Sequence, residues 1–310
     1  MSATDFTPIV PPAAGRAVPE AGGPAGEPVS GWLILRAFTG NWQARTGVAV
    51  VLALVLFCFL GPVLYHTNQG TAGLDLNLKD LTPGTRHPLG TDDTGYDVLG
   101  RLMVGGQSSL ELGFAVAIAT TLVGTIYGAI AGIAGGIVDG FMMRIVDTML
   151  AIPWLVALLI MVNIFTPDLL TIILLLTLLS WLGVARLVRG EVISLRTRDF
   201  VLAARTMGSS TSRIMWRHMV PNAIGVIVVN ATFSVADAII ALSTLSFLGL
   251  GIPPPHADWG QMLTSGLDDL YNGYWWLVYP SAVLLIITII AFSLIGDAVR
   301  DSLDVRLQRR

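Results

Sequence analysis

The chain has 310 residues, of which 54% are hydrophobic and only 13% are charged, and its formal net charge is −3. Its mean hydropathy of +0.71 is far above that of an average soluble domain. A soluble globular protein is therefore excluded, and an all-α integral membrane protein is predicted. The single cysteine, Cys58, excludes an internal disulfide.

The N-terminal residues 1–30 are dominated by Pro, Gly and Ala. They have too few large apolar side chains to bury a core, so we expect a disordered cytoplasmic tail. The first apolar run starts only near Gly47, too late for the core of a signal peptide. Residues 31–67 are therefore predicted to hold a retained first membrane span.

Six apolar runs have about the 20 residues needed to cross the hydrocarbon of a bilayer. They cover residues 47–65, 109–133, 141–165, 168–187, 222–248 and 276–296. With the N-terminus inside, the inner segments hold 15 basic residues and the outer segments hold 3, namely Lys79, Arg86 and Arg101. The positive-inside rule therefore predicts that both termini are cytoplasmic.

This orientation divides the rest of the chain. Residues 68–108 become an extracytoplasmic region, and residues 249–275 form a second one without Lys or Arg. Residues 109–296 form a core of five spans, and its largest cytoplasmic loop covers 188–220. Residues 297–310 are predicted to be a cytoplasmic C-terminal tail.

The second predicted span carries a ladder of glycines at four-residue spacing. Its members are Gly124, Gly128, Gly132 and Gly136. Small residues on one face allow another helix backbone to approach closely, so we expect a helix-packing surface here. A moving interface is the alternative, because glycine-lined contacts also slide easily.

Motifs for chemistry are missing from the sequence. The only lysine, Lys79, follows no glycine-rich loop, so we expect no ATP hydrolysis by this chain. Neither H-E-x-x-H nor G-x-S-x-G occurs, and the four histidines are scattered one per segment. We therefore predict no catalytic residue, no metal site and no cofactor in this chain.

The fifth predicted span carries a narrow polar stripe. At helical spacing Asp237 shares one face with Asn230, Ser234 and Thr244 on an otherwise apolar segment. A charge at that depth is costly unless it meets a wet cavity or a partner. The stripe therefore indicates either a seam of hydrogen bonds between helices or the polar wall of a translocation path.

The stretch DFVLAARTMGSSTSRIMWRHMVPN, residues 199–222, lies between two apolar runs but is too charged to span a membrane. Asp199 is the predicted N-cap of a helix of about two turns, and Gly208 is predicted to end it. Phe200, Ala203, Ala204 and Met207 recur at helical spacing. One interpretation is a docking helix, in which the alanines enter a partner's groove and Phe200 and Met207 anchor it. The other is an interfacial helix, whose arginines, among them Arg205, attract anionic lipid.

DFVLAARTMG followed by RHMVPN resembles the cytoplasmic "EAA" loop of permease subunits of ATP-binding-cassette (ABC) importers. Ala203, Ala204 and Gly208 match that pattern, whereas Leu202 replaces its glutamate. HPLGTDDTGYDVLGRLMVGGQSSL, LSFLGLGIPPPHADWGQML and GDAVRDSLD narrow the resemblance to the dipeptide, oligopeptide and nickel permeases of the DppC/OppC type. Tyr96 lies where such relatives usually carry arginine.

The resemblance implies a six-span type I ABC importer permease fold with a cytoplasmic coupling helix inside the loop 188–220. It implies docking of the ATPases on Asp199, Phe200, Ala203, Ala204, Arg205, Met207 and Gly208. The implied partners are a second, homologous permease chain (DppB/OppB-like), two ATPase subunits that bind ATP and Mg, an external substrate-binding protein and membrane lipid. No nucleic-acid partner is expected.

The resemblance leaves the cargo open among di- and oligopeptides, nickel or metal chelates, and haem. A membrane scaffold that only holds partners together is the rival from another class. Such a scaffold has no need of Asp237 at the membrane midplane, which is how the two interpretations differ.

Overall fold

The computed structural model describes residues 38–66, 76–165, 168–253 and 256–308. Within these residues the chain is helical and has no β-strand, only one isolated bridge between Thr91 and Asp97. The all-α prediction is confirmed. The predicted disordered tail, residues 1–30, lies outside the described residues.

Nine helices are numbered here over the described part of the chain. They are α1 (Trp42–Leu64), α2 (Val98–Ala134), α3 (Gly136–Leu150), α4 (Trp154–Ile164), α5 (Leu169–Leu195), α6 (Asp199–Thr206), α7 (Thr211–Phe247), α8 (Trp259–Leu270) and α9 (Tyr279–Gln308). Two of them contain a π-helical turn, Leu56–Leu60 in α1 and Met215–Met219 in α7. The end of the bundle that carries α6 is called the α6 end, and the opposite one the α8 end.

Five helices in the described part of the chain are long and apolar enough to cross a membrane: α1, α2, α5, α7 and α9. A sixth candidate is the pair α3 and α4, which are bent by 79°. The predicted single helix over 141–165 is therefore wrong. Pro153 is the reason, since it lacks a backbone N–H and disfavours the helical conformation of the residue before it. Pro153 occupies the N-cap position of α4.

Several helices extend beyond their predicted ends. α2 begins at Val98, eleven residues before the predicted start at 109, and Asp97 caps it by accepting a hydrogen bond from Gly100 N. α5 continues to Leu195, into the predicted loop 188–220. α9 continues to Gln308, so the predicted tail 297–310 is helical over most of its length.

The proline in α1 explains one contact between α1 and α2. Pro62 has no N–H, so the carbonyl of Cys58, four residues earlier, lacks its usual helical donor. Gln107 of α2 donates its Nε2–H to that carbonyl at 2.8 Å. The side chain therefore satisfies a backbone oxygen inside the apolar bundle, where an unpaired oxygen is costly.

The glycine ladder packs α2 against α5, as predicted for three of its four members. A Cβ on Gly124 would lie 2.7 Å from Val184 Cγ1, and one on Gly132 would lie 2.8 Å from Val192 Cγ1. Gly128 lies equally close, against the backbone of Ala185. Gly136 differs, because it opens α3 with φ +54° and has no neighbour within 4 Å.

α8 is anchored by a buried polar cluster at the α8 end. Asp258 is fully buried, caps α8 by accepting from Gln261 N at 3.0 Å, and accepts from Ser246 Oγ of α7 at 2.8 Å. Trp259 donates its indole N–H to the carbonyl of Leu102 in α2 at 2.9 Å. Burial raises the pKa of the Asp258 carboxyl above its usual range. These contacts hold α8 against both α2 and α7.

Candidate functional site

Helix α6 begins one residue earlier than the sequence suggested. Arg198 has the extended backbone of an N-cap residue (φ −77°, ψ 146°), and no side chain caps the helix. The prediction that Asp199 is the N-cap is therefore wrong. Asp199 lies in the first turn instead, where a carboxylate interacts favourably with the helix dipole.

Gly208 ends α6, as predicted. Its φ is +77°, and its N–H donates to the carbonyl of Arg205 at 3.0 Å. The N–H of Ser209 then donates to the carbonyl of Ala204 at 3.1 Å, which completes a Schellman motif. A Cβ at Gly208 would meet nothing within 4 Å, so the left-handed backbone, and not lack of space, requires glycine here.

The inward face of α6 packs on its own chain. Val201 is fully buried and Ala204 is 3% exposed. Both belong to an apolar cluster that also contains Val192, Leu195, Ile214, Met215 and Met219 from α5 and α7. The expectation that both alanines enter a partner's groove needs correction, because Ala204 contacts this cluster and only Ala203 is exposed.

The outward face of α6 presents apolar side chains without cover from this chain. Phe200 is 40% exposed, Leu202 is 47% exposed and Met207 is 78% exposed. Arg205 is also exposed and makes no ion pair within 4.0 Å among the described residues. The surface formed by Phe200, Leu202, Ala203, Arg205 and Met207 is called the outer face of α6.

Charged side chains fix the helices beneath α6, and the sequence reasoning missed them. Arg189 of α5 donates Nη2–H to Asp139 of α3 at 2.7 Å, and Arg186 donates to Asp147 of α3 at 2.6 Å. Arg196 donates to the carbonyl of Gly132 in α2 at 3.1 Å. The sequence did contain an indication of these pairs, since α3 carries two aspartates and α5 carries two arginines that could pair with them. α6 therefore begins shortly after α5, which is hydrogen-bonded through its arginines to α3 and, through Arg196 at its end, to α2.

The polar stripe of α7 faces away from the rest of the chain. Asp237 is exposed, and Asn230, Ser234 and Thr244 are half-buried. Asn230 Nδ2 lies 3.3 Å from Ser234 Oγ, which donates to the carbonyl of Asn230 at 2.9 Å, while Thr244 donates to the carbonyl of Ile240. These bonds stay within α7, so in the described residues the stripe forms no seam between helices.

Three helices surround the other sides of α7. Behind it, Ile239 and Val235 contact Gly113 of α2. On one flank, Phe233 packs against Gly296 of α9. On the other flank, Ala238 and Ala241 share an apolar cluster with α5. Asp237 therefore lies on the open face of α7, between the flanks formed by α5 and α9.

A second acidic residue inside a span escaped the sequence reasoning. Glu111 lies within the predicted run 109–133 and is exposed on α2. It lies about 160° around the helix from Gly113, which faces α7, so Glu111 and Asp237 point away from each other. A single Glu inside an apolar run was the signal that could have identified it.

A small cavity of about 200 Å³ lies at the α8 end, and Asp92, Asp93, Arg101, Gln261 and Ser265 are among its lining residues. Arg101 Nε lies 3.6 Å from Asp92 Oδ2, and its guanidinium lies 4.6 Å from the centre of the Tyr96 ring. Burial and then the charge of Asp92 raise the pKa of Asp93. Among the described residues, no group of three His, Cys, Asp or Glu side chains is placed to hold a metal ion.

Comparison with known proteins decides the family. Residues 124–309 match the family described as the binding-protein-dependent transport system inner membrane component. The chain belongs to this family. The matched region thus begins inside α2, at Gly124, and covers α3 to α9.

Full-length relatives support the same assignment for this permease. It is 38% identical over 272 residues to the oligopeptide transport system permease protein OppC of Bacillus subtilis, covering 88% of each chain. It is 38% identical over 274 residues to the dipeptide transport system permease protein DppC of the same organism, covering 88% of this chain and 85% of the relative. OppC of Salmonella typhimurium is 39% identical over 271 residues, covering 87% and 89%.

A solved structure agrees with the fold of this permease. A chain of the inward-facing MetNI methionine ABC transporter superposes with a TM-score of 0.50 and 22% sequence identity. The match covers 64% of the permease and 94% of the solved chain. The predicted ABC importer permease fold is confirmed.

Proposed function

We propose that this permease is one of two homologous transmembrane subunits of an ATP-driven importer for di- or oligopeptides. Its relatives named for peptide transport support the cargo class. The partners are a second permease chain, two ATPase subunits and an external binding protein, and both termini are cytoplasmic. The permease itself performs no covalent chemistry, and ATP and Mg are bound by the ATPases.

The observation that carries this proposal is the outer face of α6. Phe200, Leu202 and Met207 expose apolar area on a two-turn helix whose opposite face is fixed by Val201 and Ala204. Apolar side chains that protrude from a rigid support are suited to a groove in another protein. We assign that groove to the ATPase subunits, with Arg205 at its rim.

The support of α6 gives the proposal a mechanical path. Val201 and Ala204 pack against α5 and against the first turns of α7, and α7 continues without a break to Phe247. A displacement of α6 by a closing ATPase therefore acts on the helix that carries Asp237. Alternating exposure of that face to the two sides of the membrane would move the cargo.

The alternative cargoes, nickel or metal chelates and haem, would use the same machinery, since the binding protein selects the cargo. The lipid-surface interpretation would place the same outer face of α6 on lipid headgroups. Docking is favoured over it because residues 199–208 resemble the docking loop of ABC importer permeases. A scaffold without transport has no use for an exposed carboxylate inside a span.

The proposal is tested by reconstituting the complete complex in proteoliposomes. ATP is supplied on the side of the membrane that carries the ATPases, and uptake of labelled di- and tripeptides is measured. We expect ATP-dependent uptake that needs the binding protein. Uptake of a nickel chelate or haem, with none of any peptide, would overturn the cargo class. A complex that hydrolyses ATP but moves none of the three cargoes would overturn the importer assignment.

A further inference from the structure

Asp237 differs from the other members of the polar stripe in one respect. The side chains of Asn230, Ser234 and Thr244 bond within their own helix. Among the described residues, no Arg, Lys or His lies within 4.0 Å of the Asp237 carboxylate, and no hydrogen bond reaches it. A carboxylate inside a span is costly to leave without a partner.

The depth of Asp237 excludes simple escape to the membrane surface. It lies ten residues before the end of α7 at Phe247, or about 15 Å along the helix axis. The short aspartate side chain cannot reach the headgroup region over that distance. To remain ionised at that depth, Asp237 needs a partner that comes to it, either water in a cavity or a cation.

The surroundings of Asp237 favour a cavity over a lipid contact. The open face of α7 lies between flanks formed by α5 and α9, and polar side chains continue along it on both sides of Asp237. Asn230 and Thr244 lie seven residues to either side of Asp237, within about 20° of it around the helix. They place a polar group about 10 Å above and about 10 Å below the carboxylate.

We propose that Asp237 binds the ammonium group of a peptide during its passage along this face. The inference rests on the proposed function and extends it by assigning the charged contact. A carboxylate accepts strong, charge-assisted hydrogen bonds from an ammonium group. The polar groups at Asn230 and Thr244 can form hydrogen bonds with the neutral amides of the same peptide. Each lies about 10 Å from Asp237, which is about the length of three extended residues.

Cysteine protection tests this assignment without relying on delivery by the binding protein. The complete complex is placed in nanodiscs with Cys58→Ala and Asn230→Cys in the permease, and a charged, water-soluble maleimide labels the new cysteine. Trialanine and N-acetyl-trialanine serve as probes that differ only at the amino terminus, where trialanine carries an ammonium group and the acetylated peptide a neutral amide. Asp237→Asn removes the charge, and Glu111→Gln is the matched control, since it removes a carboxylate from α2 on the opposite side.

We expect labelling of Asn230→Cys in the absence of peptide. Trialanine at ten times its dissociation constant should slow labelling by about tenfold, because only the unoccupied fraction reacts. The acetylated peptide should give little protection. Asp237→Asn should abolish the protection by trialanine, measured for each variant as the ratio of the labelling rates without and with peptide, whereas Glu111→Gln should retain it.

Three results would overturn the inference. Equal protection by both peptides would show that the ammonium group is not recognised. An unreactive cysteine would show that the face is closed to water. Loss of the second permease chain on purification of Asp237→Asn would show that the carboxylate pairs with a cation of that chain.

The two proposals fail in different ways. If trialanine protects the cysteine through Asp237 but proteoliposomes accumulate no peptide, the binding inference stands and peptide import fails. If peptide uptake by Asp237→Asn equals that of the wild type and protection is unchanged, peptide import stands and the role of Asp237 fails.

Discussion

Gly128 of α2 lies directly against the backbone of Ala185 in α5, and a Cβ on Gly128 would lie 3.0 Å from the Ala185 carbonyl carbon. The obstacle is backbone, which cannot rotate away as a side chain can. Contact at this distance fixes the separation of the two helices, with Gly124 and Gly132 one turn to either side.

Gly128→Ala should therefore destabilise the permease by about 1–3 kcal/mol, the usual effect of overpacking a well-packed interface. The thermal midpoint of the purified complex measures this. Gly183→Ala on α5 is the control, because a Cβ there would meet nothing within 4 Å. Equal midpoints for the two variants would contradict close packing through Gly128.

Gly208→Ala should loosen the end of α6 without a steric clash. A non-glycine residue in the left-handed region costs about 1 kcal/mol or more, and the position has free space for a methyl group. Hydrogen exchange at the Ser209 amide, which is bonded to Ala204, should become about fivefold faster or more. Unchanged exchange would mean that another residue holds the turn.

Asp258→Ala should destabilise the α8 end by about 1–3 kcal/mol. It removes the cap of α8 and leaves the buried hydroxyl of Ser246 without its acceptor. Asp258→Asn retains an oxygen for the cap and should cost less. Chemical denaturation of the complex measures both variants, and equal losses would show that the carboxylate itself is required.

The pH dependence of stability gives an independent test of Asp258. Burial raises the pKa of this carboxyl, so its protonated form is favoured in the folded protein. Its contribution to stability is complete below the pKa of an unfolded aspartate and is lost as the pH rises through the raised folded pKa. Asp258→Asn should flatten stability over that window, and an unchanged pH profile would contradict the assignment.

Ala204→Leu should destabilise the folded α6, and any loss of docking should be a consequence of that. Ala204 is buried, with Val201, in the apolar cluster formed with α5 and α7, so a larger side chain forces α6 off its support. We expect faster proteolysis at residues 198–210 in the permease without ATPases. Ala203→Leu, on the exposed side of the same helix, is the control. Equal protease resistance of Ala204→Leu and wild type would contradict the inward orientation.

Features that a local backbone conformation or a close helix contact requires could be predicted from the sequence. Gly208 and the ladder at Gly124, Gly128 and Gly132 were predictable, because glycine is required by a local backbone conformation or by close approach. The break at Pro153 was also readable, since the proline lies inside the apolar run, but the length of the run concealed it. The family's docking-loop pattern located α6 correctly.

The direction in which a side chain faces and the residues that it contacts were harder to predict from the sequence than the position of its helix. Helical spacing placed Ala203 and Ala204 together, but only the packing of α5 and α7 shows that Ala204 faces inward. The pairs of Arg189 with Asp139 and Arg186 with Asp147 join residues 50 and 39 positions apart, beyond any local pattern. Asp237 was predictable because a single charge inside an apolar span is conspicuous, whereas its open face depends on the flanking helices.

Site-specific cross-linking at Met207 tests the central claim, that the outer face of α6 contacts the ATPases. In a Cys58→Ala background, Met207→Cys is compared with Val201→Cys, whose side chain is buried on the inward face of the same helix. A short sulfhydryl-to-amine cross-linker is added to the assembled complex in nanodiscs. We predict a cross-link from Met207→Cys to an ATPase subunit that changes in yield with ATP, and none from Val201→Cys. A Met207→Cys that forms no cross-link to the ATPases and is instead protected by lipid would contradict the account.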